Sequence, residues 1–458
     1  MLYPSSHTTG KYPLNRPVTW AVLVFITIVL LTPLVGADMF LNQMSLSSGQ
    51  ALGARLAIYF APLGLFSIFV GVVCWDTWRT GAVRILLLYR RVGYILVPFG
   101  LISILSIAYL WHPTAYWGEH ERHSSLMAFW PLLYFFILFF SVSLAAIPAV
   151  VKHYRAIFTL SFIVLVVTLL SEALFSIAYP SVYAGRAVGL HGQPDVAGQL
   201  TVILSVASVN WRKPRRLDGL IWLVAGVTVA LTLSRIGLLS YGFALVAYLA
   251  LVAKLRMRVL LQFAIFAILL ASILLLGRTA IASLSESNDF YSRVDTQRIS
   301  MLIEVISGDM EAGISDDSAR QRIRVWNAAK DLISESPILG HGTNFTYADP
   351  NFRLPSQPGL LGPVEFKGAH NIYLKQWVEN GLLGLGFLLA FYFASFWHFM
   401  RYKDVRGVIF IAVCSLTGLT ADNLLQQVPF IIMIGLLGAL AYVEYLELSA
   451  SRSSLPKA

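Results

Sequence analysis

Apolar runs of 18 residues or more recur along this chain, and no other feature limits its fold so tightly. Such a run offers too few polar side chains to face water. Its backbone must satisfy its own hydrogen bonds, so each run reads as a helix that crosses a bilayer. The runs fall at approximately 18–36, 52–74, 92–111, 125–149, 156–178, 196–211, 217–233, 236–253, 259–277, 370–397, 407–424 and 428–446. They predict an all-α polytopic membrane protein of about twelve transmembrane helices. Composition agrees: of 458 residues, 57% are hydrophobic and 13% charged, and the mean hydropathy is +0.70. A soluble protein of this size could not bury that much apolar surface.

The spacing of the runs divides the chain into three parts. Residues 1–277 hold nine transmembrane helices. Residues 278–368 form one large loop, and residues 369–458 hold three more helices and a short tail. The formal charge of +10 could suggest a nucleic-acid partner, but its placement argues against one. Basic residues gather in alternate loops, at Arg90-Arg91, Lys152 and Arg155, Arg212–Arg216, Lys254–Arg258 and Arg401–Arg406. The short loops on the other side hold only Arg55, Arg122, Arg186 and Arg235. This is the positive-inside asymmetry, which sets both termini in the cytoplasm and the large loop outside. Insertion accounts for the basic balance, and no nucleic-acid role is needed.

The first run follows a polar stretch of about 17 residues and lacks an obvious small-residue cleavage site, so it reads as a retained helix. Cys74 and Cys414 have no spacing for a metal or redox motif. In the large loop, Ser318-Ala-Arg-Gln321 has the spacing of a capping box. Ile323, Trp326, Ala329 and Ile333 follow at helical intervals. An amphipathic helix is expected over 319–335, lying against the membrane or the bundle. Pro337 and Gly340-His-Gly342 end it, and residues 348–363, rich in Pro and Gly, read as a lid-like stretch.

Four places on the outer face carry polar groups. Gly185 through Asp195 contains Arg186, the one permanent cation of its loop. Ser234-Arg235-Ile-Gly-Leu-Leu239 sits at a tight turn between two spans. Arg322 and Trp326 are four apart and share a helical face. Each arginine has a bland alternative, in which it snorkels to headgroups or solvates a surface helix. Each could instead hold an anion, since a guanidinium binds phosphate through two parallel hydrogen bonds. The fourth place is His370-Asn371, followed after nine residues by Gly381-Leu-Leu-Gly384. His370, Leu374, Trp377, Gly381 and Gly384 are expected on one face of a continuous helix, the glycines about 16–21 Å deeper in the bilayer than the histidine. A neutral imidazole at a helix N-terminus could accept a proton.

Two or more arginines can neutralise a pyrophosphate without metal. His112, His120 and His123 with Glu119 and Glu121 share one outer loop, but adventitious loop histidines account for them better than a zinc site. No metal and no cofactor is expected. No Walker loop, dinucleotide fingerprint or nucleophile elbow is present.

These motifs resemble those of the O-antigen ligase and polymerase superfamily, most of all the O-antigen ligases. The resemblance rests on Arg186 ahead of Pro194-Asp195, where the family has Pro-Asn. It rests also on Arg235 with Leu239, on Arg322 and Trp326 followed by Pro337, Gly340 and Gly342, and on the uninterrupted match from His370 to Gly384. It covers roughly residues 185–385. It implies a GT-C-like glycosyltransferase of the bacterial inner membrane with its active site facing the periplasm. The donor would be a glycan on undecaprenyl pyrophosphate. The acceptor would be the lipid A–core for a ligase, or another repeat unit for an O-antigen or exopolysaccharide polymerase. Arg186, Arg235 and Arg322 would hold the donor pyrophosphate, His370 would orient or deprotonate the acceptor, and Asn371, Trp326, Gly381 and Gly384 would support them. A reading from a different class is a lipid-linked glycan transporter, for which Asp422 and Asn423 are the weak intramembrane pointers.

Overall fold

The computed structural model describes residues 85–108, 130–175, 186–191, 193–213, 215–252, 317–343, 345–348, 368–421 and 427–453. The expected spans at 18–36, 52–74 and 259–277, the histidine loop at 112–123, most of the lid-like stretch, and Asp422-Asn423 lie outside these residues. Among the described residues every regular element is helical. We number them α1 (Ile85–Ala108), α2 (Trp130–Leu144), α3 (Pro148–Phe175), α4 (Pro194–Ser208), α5 (Arg216–Leu231), α6 (Arg235–Leu251), α7 (Asp317–Glu335), α8 (Phe345–Ala348), α9 (Ile372–Arg401), α10 (Val405–Gly418) and α11 (Val428–Ser453). Among the described residues four stretches, Ile85–Ala108, Pro148–Phe175, Ile372–Arg401 and Val428–Ala450, are long and apolar enough to cross a membrane. Pro131–Leu144, Arg235–Leu251 and Val405–Gly418 are shorter apolar helices.

α4 is the hub of the bundle. It packs on α3, α5, α6 and α10, and along it only Asp195 escapes full burial. Its small residues allow the close approach: a Cβ on Gly198 would meet the Thr232 hydroxyl and the Ser234 Cβ. α11 packs along α2, where a Cβ on Gly435 would run into the Leu138 carbonyl. Polar side chains tie the spans internally. His398 Nε2 donates to the Gly438 carbonyl at 2.7 Å, so its Nδ1 accepts from the Tyr94 hydroxyl. That one imidazole joins α1, α9 and α11.

Several boundaries differ from the sequence expectation. The inner turn predicted near 150–155 lies at 145–147, between α2 and α3. Pro148 opens α3 as the first helical residue, a position that needs no backbone N–H. Lys152 and Arg155 therefore lie within α3. α7 already includes Asp317 and Ser318, so Ser318 is inside the helix and does not cap it. The buried face of α7 is also rotated. Val325, Ala329 and Leu332 pack against Phe345, Ala369 and Val378, while Ile323 is exposed. The helix lies on the bundle through α9.

The largest correction concerns α9. Gly381 has φ +61° and ψ −162°, which no helix contains. The helix breaks there into two limbs, 372–380 and 382–401, and the limbs fold back on each other. Tyr373 and Tyr392 are 19 positions apart and would be about 28 Å apart in a straight helix. Their ring centroids are 6.0 Å apart. A Cβ on Gly384 would stand 3.0 Å from the Gln376 carbonyl oxygen. The shared helical face expected for His370, Leu374, Trp377, Gly381 and Gly384 does not exist. The glycines stand at and beside the hairpin apex, and His370 lies at the far end of the ascending limb. The continuous helix expected to carry His370 and the glycines along one axis is replaced by a hairpin.

The turn after α7 locks the break. The Leu382 N–H donates to the Pro337 and Ile338 carbonyls, at 3.1 Å each, and the His341 and Gly342 N–H groups donate to the Val378 and Glu379 carbonyls at 2.8 and 2.9 Å. Groups freed by breaking the helix are thus paired again. Only glycine serves at two of these positions. A Cβ on Gly381 would sit on the Ile338 carbonyl, one on Gly340 would meet the Glu379 carbonyl, and both residues have positive φ.

Candidate active site

The end of the bundle expected to face outward, called the outer end below, is organised around one carboxylate. Asp195 stands in the first turn of α4. Its Oδ1 accepts from Arg186 Nη2 at 2.9 Å, and its Oδ2 lies 4.0 Å from Arg322 Nη2. Burial works against the charge of this carboxyl. Arg186, Arg322 and the Ser234 hydroxyl outweigh that and hold it down at about 2, so it stays anionic at neutral pH.

Arg186 is buried and engaged on several sides. Besides Asp195 it donates to the Thr232 carbonyl at 3.1 Å and the Leu233 carbonyl at 3.4 Å. It thereby fixes the turn between α5 and α6 against the start of α4. Ser234 caps α6, accepting from the Gly237 N–H at 3.1 Å. Arg235 follows as the first residue of that helix, half-buried, so the turn that Arg186 grips is the one that presents Arg235. The loop carrying Arg186 is itself held by Glu172. This buried carboxylate near the outer end of α3 accepts from the Val188 and Gly189 N–H groups at 2.8 and 2.9 Å. His191, in the short 3-10 turn Gly189–His191, is buried, and burial pushes its imidazole down to about 4.

α7 joins this cluster to the His-Asn motif. Arg322 faces Asp195, and one turn on, Trp326 Nε1 donates to the Ala369 carbonyl at 3.2 Å. Ala369 immediately precedes His370. Asn371 is the N-cap of α9, its side chain accepting from the Tyr373 and Leu374 N–H groups at 2.9 and 3.0 Å. His370 therefore precedes the cap, with φ +46°. A non-glycine residue rarely holds that conformation, and where one does the surroundings have selected it. Leu233, whose carbonyl Arg186 holds, has φ +48°. Both positive-φ non-glycine residues described on the outer side belong to this region.

The contacts gather Arg186, Arg322, Trp326, the Arg235 turn and the His370-Asn371 corner around Asp195. Gly381 and Gly384 are not part of that set; they shape the hairpin whose limb starts at Asn371. Sequence reasoning did not single out Asp195, Glu172, or the buried Lys375, Glu379 and Asn380 of the ascending limb. A lone acid near the end of an apolar run was the available signal for Glu172. Among the described residues no group of three or more His, Cys, Asp or Glu comes together.

Residues 219–389 match the family described as O-antigen ligase. That stretch contains Arg235, Arg322, Trp326, His370, Asn371, Gly381 and Gly384. Over those residues the chain resembles the O-antigen ligase superfamily. Members of this superfamily are glycosyltransferase-like enzymes acting on O-antigen, and with its apolar helices the chain is a multi-pass membrane protein. A stretch of 107 residues is also 25% identical to an uncharacterized protein of Haemophilus influenzae, covering 23% of this chain and 27% of that relative.

Proposed function

We propose that this protein, similar over residues 219–389 to the O-antigen ligase family, is a bacterial inner-membrane glycosyltransferase that moves a glycan from undecaprenyl pyrophosphate to the lipid A–core, the reaction of an O-antigen ligase. Both termini would face the cytoplasm and the site the periplasm, as the charge asymmetry requires. The observation that carries the reading is the gathering of arginines at Asp195: among the described residues its carboxylate stands between Arg186 and Arg322, and Arg235 is held on the turn beside them.

In this reading the acceptor hydroxyl oxygen attacks the anomeric carbon. A new glycosidic C–O bond forms, the bond to the pyrophosphate oxygen breaks, and the electron pair leaves with the pyrophosphate. Arg322 and Arg235, both partly exposed, would oppose the charge that develops there. Arg186, packed against two carbonyls, would act by fixing Asp195 and the Arg235 turn. His370 would take up the acceptor proton or orient the hydroxyl. The counter-charge is supplied by arginine, so the step calls for no metal and no cofactor. Undecaprenyl-pyrophosphate-linked glycan, the lipid A–core and membrane lipids would be the partners.

The test is the glycolipid profile of a strain lacking this chain. Full-length polymer left unattached to lipid A–core is the expected result. Products carrying a single repeat would instead assign the chain to the O-antigen or exopolysaccharide polymerases. Lipid-linked glycan held on the cytoplasmic side would point to transport.

A further inference from the structure

Ile338 and Leu339 are 62% and 54% exposed, yet they form the tip of the best-anchored turn described on the outer side. The Leu382 N–H and the Trp377 indole both donate to the Pro337 carbonyl. The Thr343 hydroxyl donates to the Ser106 carbonyl at the outer end of α1. The tip is fixed, so its exposure is a property of the fold. Beside it Leu382 and Leu383, the first residues of the descending limb, are 54% and 48% exposed. Four large aliphatic side chains are thus uncovered at one point of the surface, an arrangement that marks an interaction site.

The patch does not stop at the apex. Leu382, Leu389, Phe393, Phe396 and Met400 are all exposed. Their intervals of seven, four, three and four put them on one helical face. A single apolar stripe therefore runs from the tip to the basic end of the limb. Residues 382–401 rise about 30 Å, the thickness of the hydrocarbon core. The ascending limb differs: Lys375, Glu379 and Asn380 are buried within it, and α7 covers it.

We propose that the Ile338–Leu339 tip is seated in the outer leaflet, against the acyl chains just below the headgroups. Its partner is the bilayer itself, because the patch continues without a gap into the face of α9 that meets lipid. The hydrogen bonds that hold the tip also hold Val378 to Leu382. The bilayer thereby sets the height of the hairpin apex and, through the ascending limb, of the corner that carries His370. The inference stands independently of the transfer reaction.

The test uses the full chain in phosphatidylethanolamine–phosphatidylglycerol nanodiscs, with Cys74→Ala and Cys414→Ala as background. A single thiol from Leu339→Cys carries a polarity-sensitive fluorophore, and Asn327→Cys, exposed on α7, is the reference. The 339 label should emit at shorter wavelength than the 327 label. Lipid bearing a shallow nitroxide should quench it several-fold more strongly than the reference, and aqueous iodide several-fold less. Equal iodide quenching at both positions would put the tip in water and overturn the proposal. Protection from both quenchers would overturn it too, since a protein surface would then cover the tip. If Leu339→Cys yields no folded protein, Ile338→Cys reads the same point.

Discussion

The bundle carries an ion-pair network at each end, and the two differ in burial. At the basic end Arg406 pairs with Asp404 at 2.7 Å and Glu444 at 3.5 Å, and Arg212 pairs with Glu444 at 2.9 Å. The Tyr154 hydroxyl donates to Glu444, and the Arg406 guanidinium lies 4.9 Å from the Tyr154 ring centroid. Three guanidinium groups, those of Arg406, Arg212 and Arg155, gather around Asp404, Glu444 and the Tyr154 hydroxyl; the Arg406 and Asp404 side chains at the centre are 4% and 9% exposed, and Arg212 at the rim is 44% exposed. At the outer end Arg186 and Arg322 share the single carboxylate of Asp195, and Asp195 and Arg322 are 41% and 28% exposed. The inner network is buried at its centre, where Arg406 pairs with Asp404 and Glu444. Among the described residues, the outer one sets two arginines on one carboxylate, with a loose 4.0 Å contact to the half-exposed Asp195. The buried network ties α3, α10, α11 and the α4–α5 loop together; the half-exposed one keeps capacity for an anion that comes and goes.

The largest effect is expected where the network is buried. Arg406→Ala leaves the buried Asp404 without its 2.7 Å partner, while the half-buried Glu444 keeps Arg212. Breaking such a pair from one side costs about 3–5 kcal/mol, a large share of a protein's total stability. The variant should lose monodisperse folded protein in detergent, and activity should fall in proportion to folded yield. A well-folded Arg406→Ala protein with an unchanged melting temperature would erase the contrast between the two ends.

His370 tests the outer end by rate instead of stability. His370→Ala should slow transfer by roughly 10²–10⁴-fold, the usual contribution of a positioned acid or base, with lipid-linked donor still bound and the melting temperature little changed. His370→Gln keeps a hydrogen-bonding group and cannot take up a proton at neutral pH. Activity retained in Gln and lost in Ala would reduce His370 to positioning the acceptor. Near-normal rates in both, at equal expression, would remove it from the site.

The motif around His370 also shows how far the sequence could be read. Apolar runs announced a helical membrane protein because a bilayer leaves the backbone no other choice. The outer-face arginines were legible as charges that could not stray far from the membrane surface. Gly381-Leu-Leu-Gly384 misled, because small residues at helical spacing look the same whether they pack two helices or turn one back. What decides is the partner, here the Pro337–Gly342 turn some forty residues earlier, whose carbonyls occupy the space a Cβ would need. Asp195 was visible only as the Asp that stands after Pro194 where the resembled family has Asn. Its place between Arg186 and Arg322 depends on α7 bringing Arg322 to the start of α4, a long-range contact that no local pattern encodes.

The arginines should separate by burial. Arg322→Ala and Arg235→Ala each remove charge-assisted hydrogen bonds worth about 1.5–3 kcal/mol, so each should reduce transfer roughly 10- to 150-fold with folded protein preserved. Lysine should rescue poorly, since an ammonium lacks the planar fork. Arg186→Ala should lower the melting temperature as well, because it frees the Thr232 and Leu233 carbonyls and leaves Asp195 without its 2.9 Å partner. Wild-type transfer in the Arg235 and Arg322 variants would return those two to interfacial snorkelling. A thermally intact Arg186 variant would show the outer cluster to be less structural than its hydrogen bonds imply.

The smallest expected effect is the removal of divalent metal. If the arginines at the outer end supply the counter-charge for the leaving pyrophosphate, that role is filled by groups that cannot be deprotonated or chelated away. Purified protein supplied with lipid-linked glycan and acceptor should keep its rate in excess chelator. A rate lost to chelator and restored by magnesium would mean that a cation bridges the pyrophosphate. Asp195, the half-exposed carboxylate at the centre of the cluster, would be the first residue to examine as its ligand. Asp195→Asn would then shift the magnesium concentration needed for half-maximal rate. Under the arginine mechanism the same substitution leaves the rate indifferent to magnesium, so this one pair of titrations decides whether the outer network works by its cations alone.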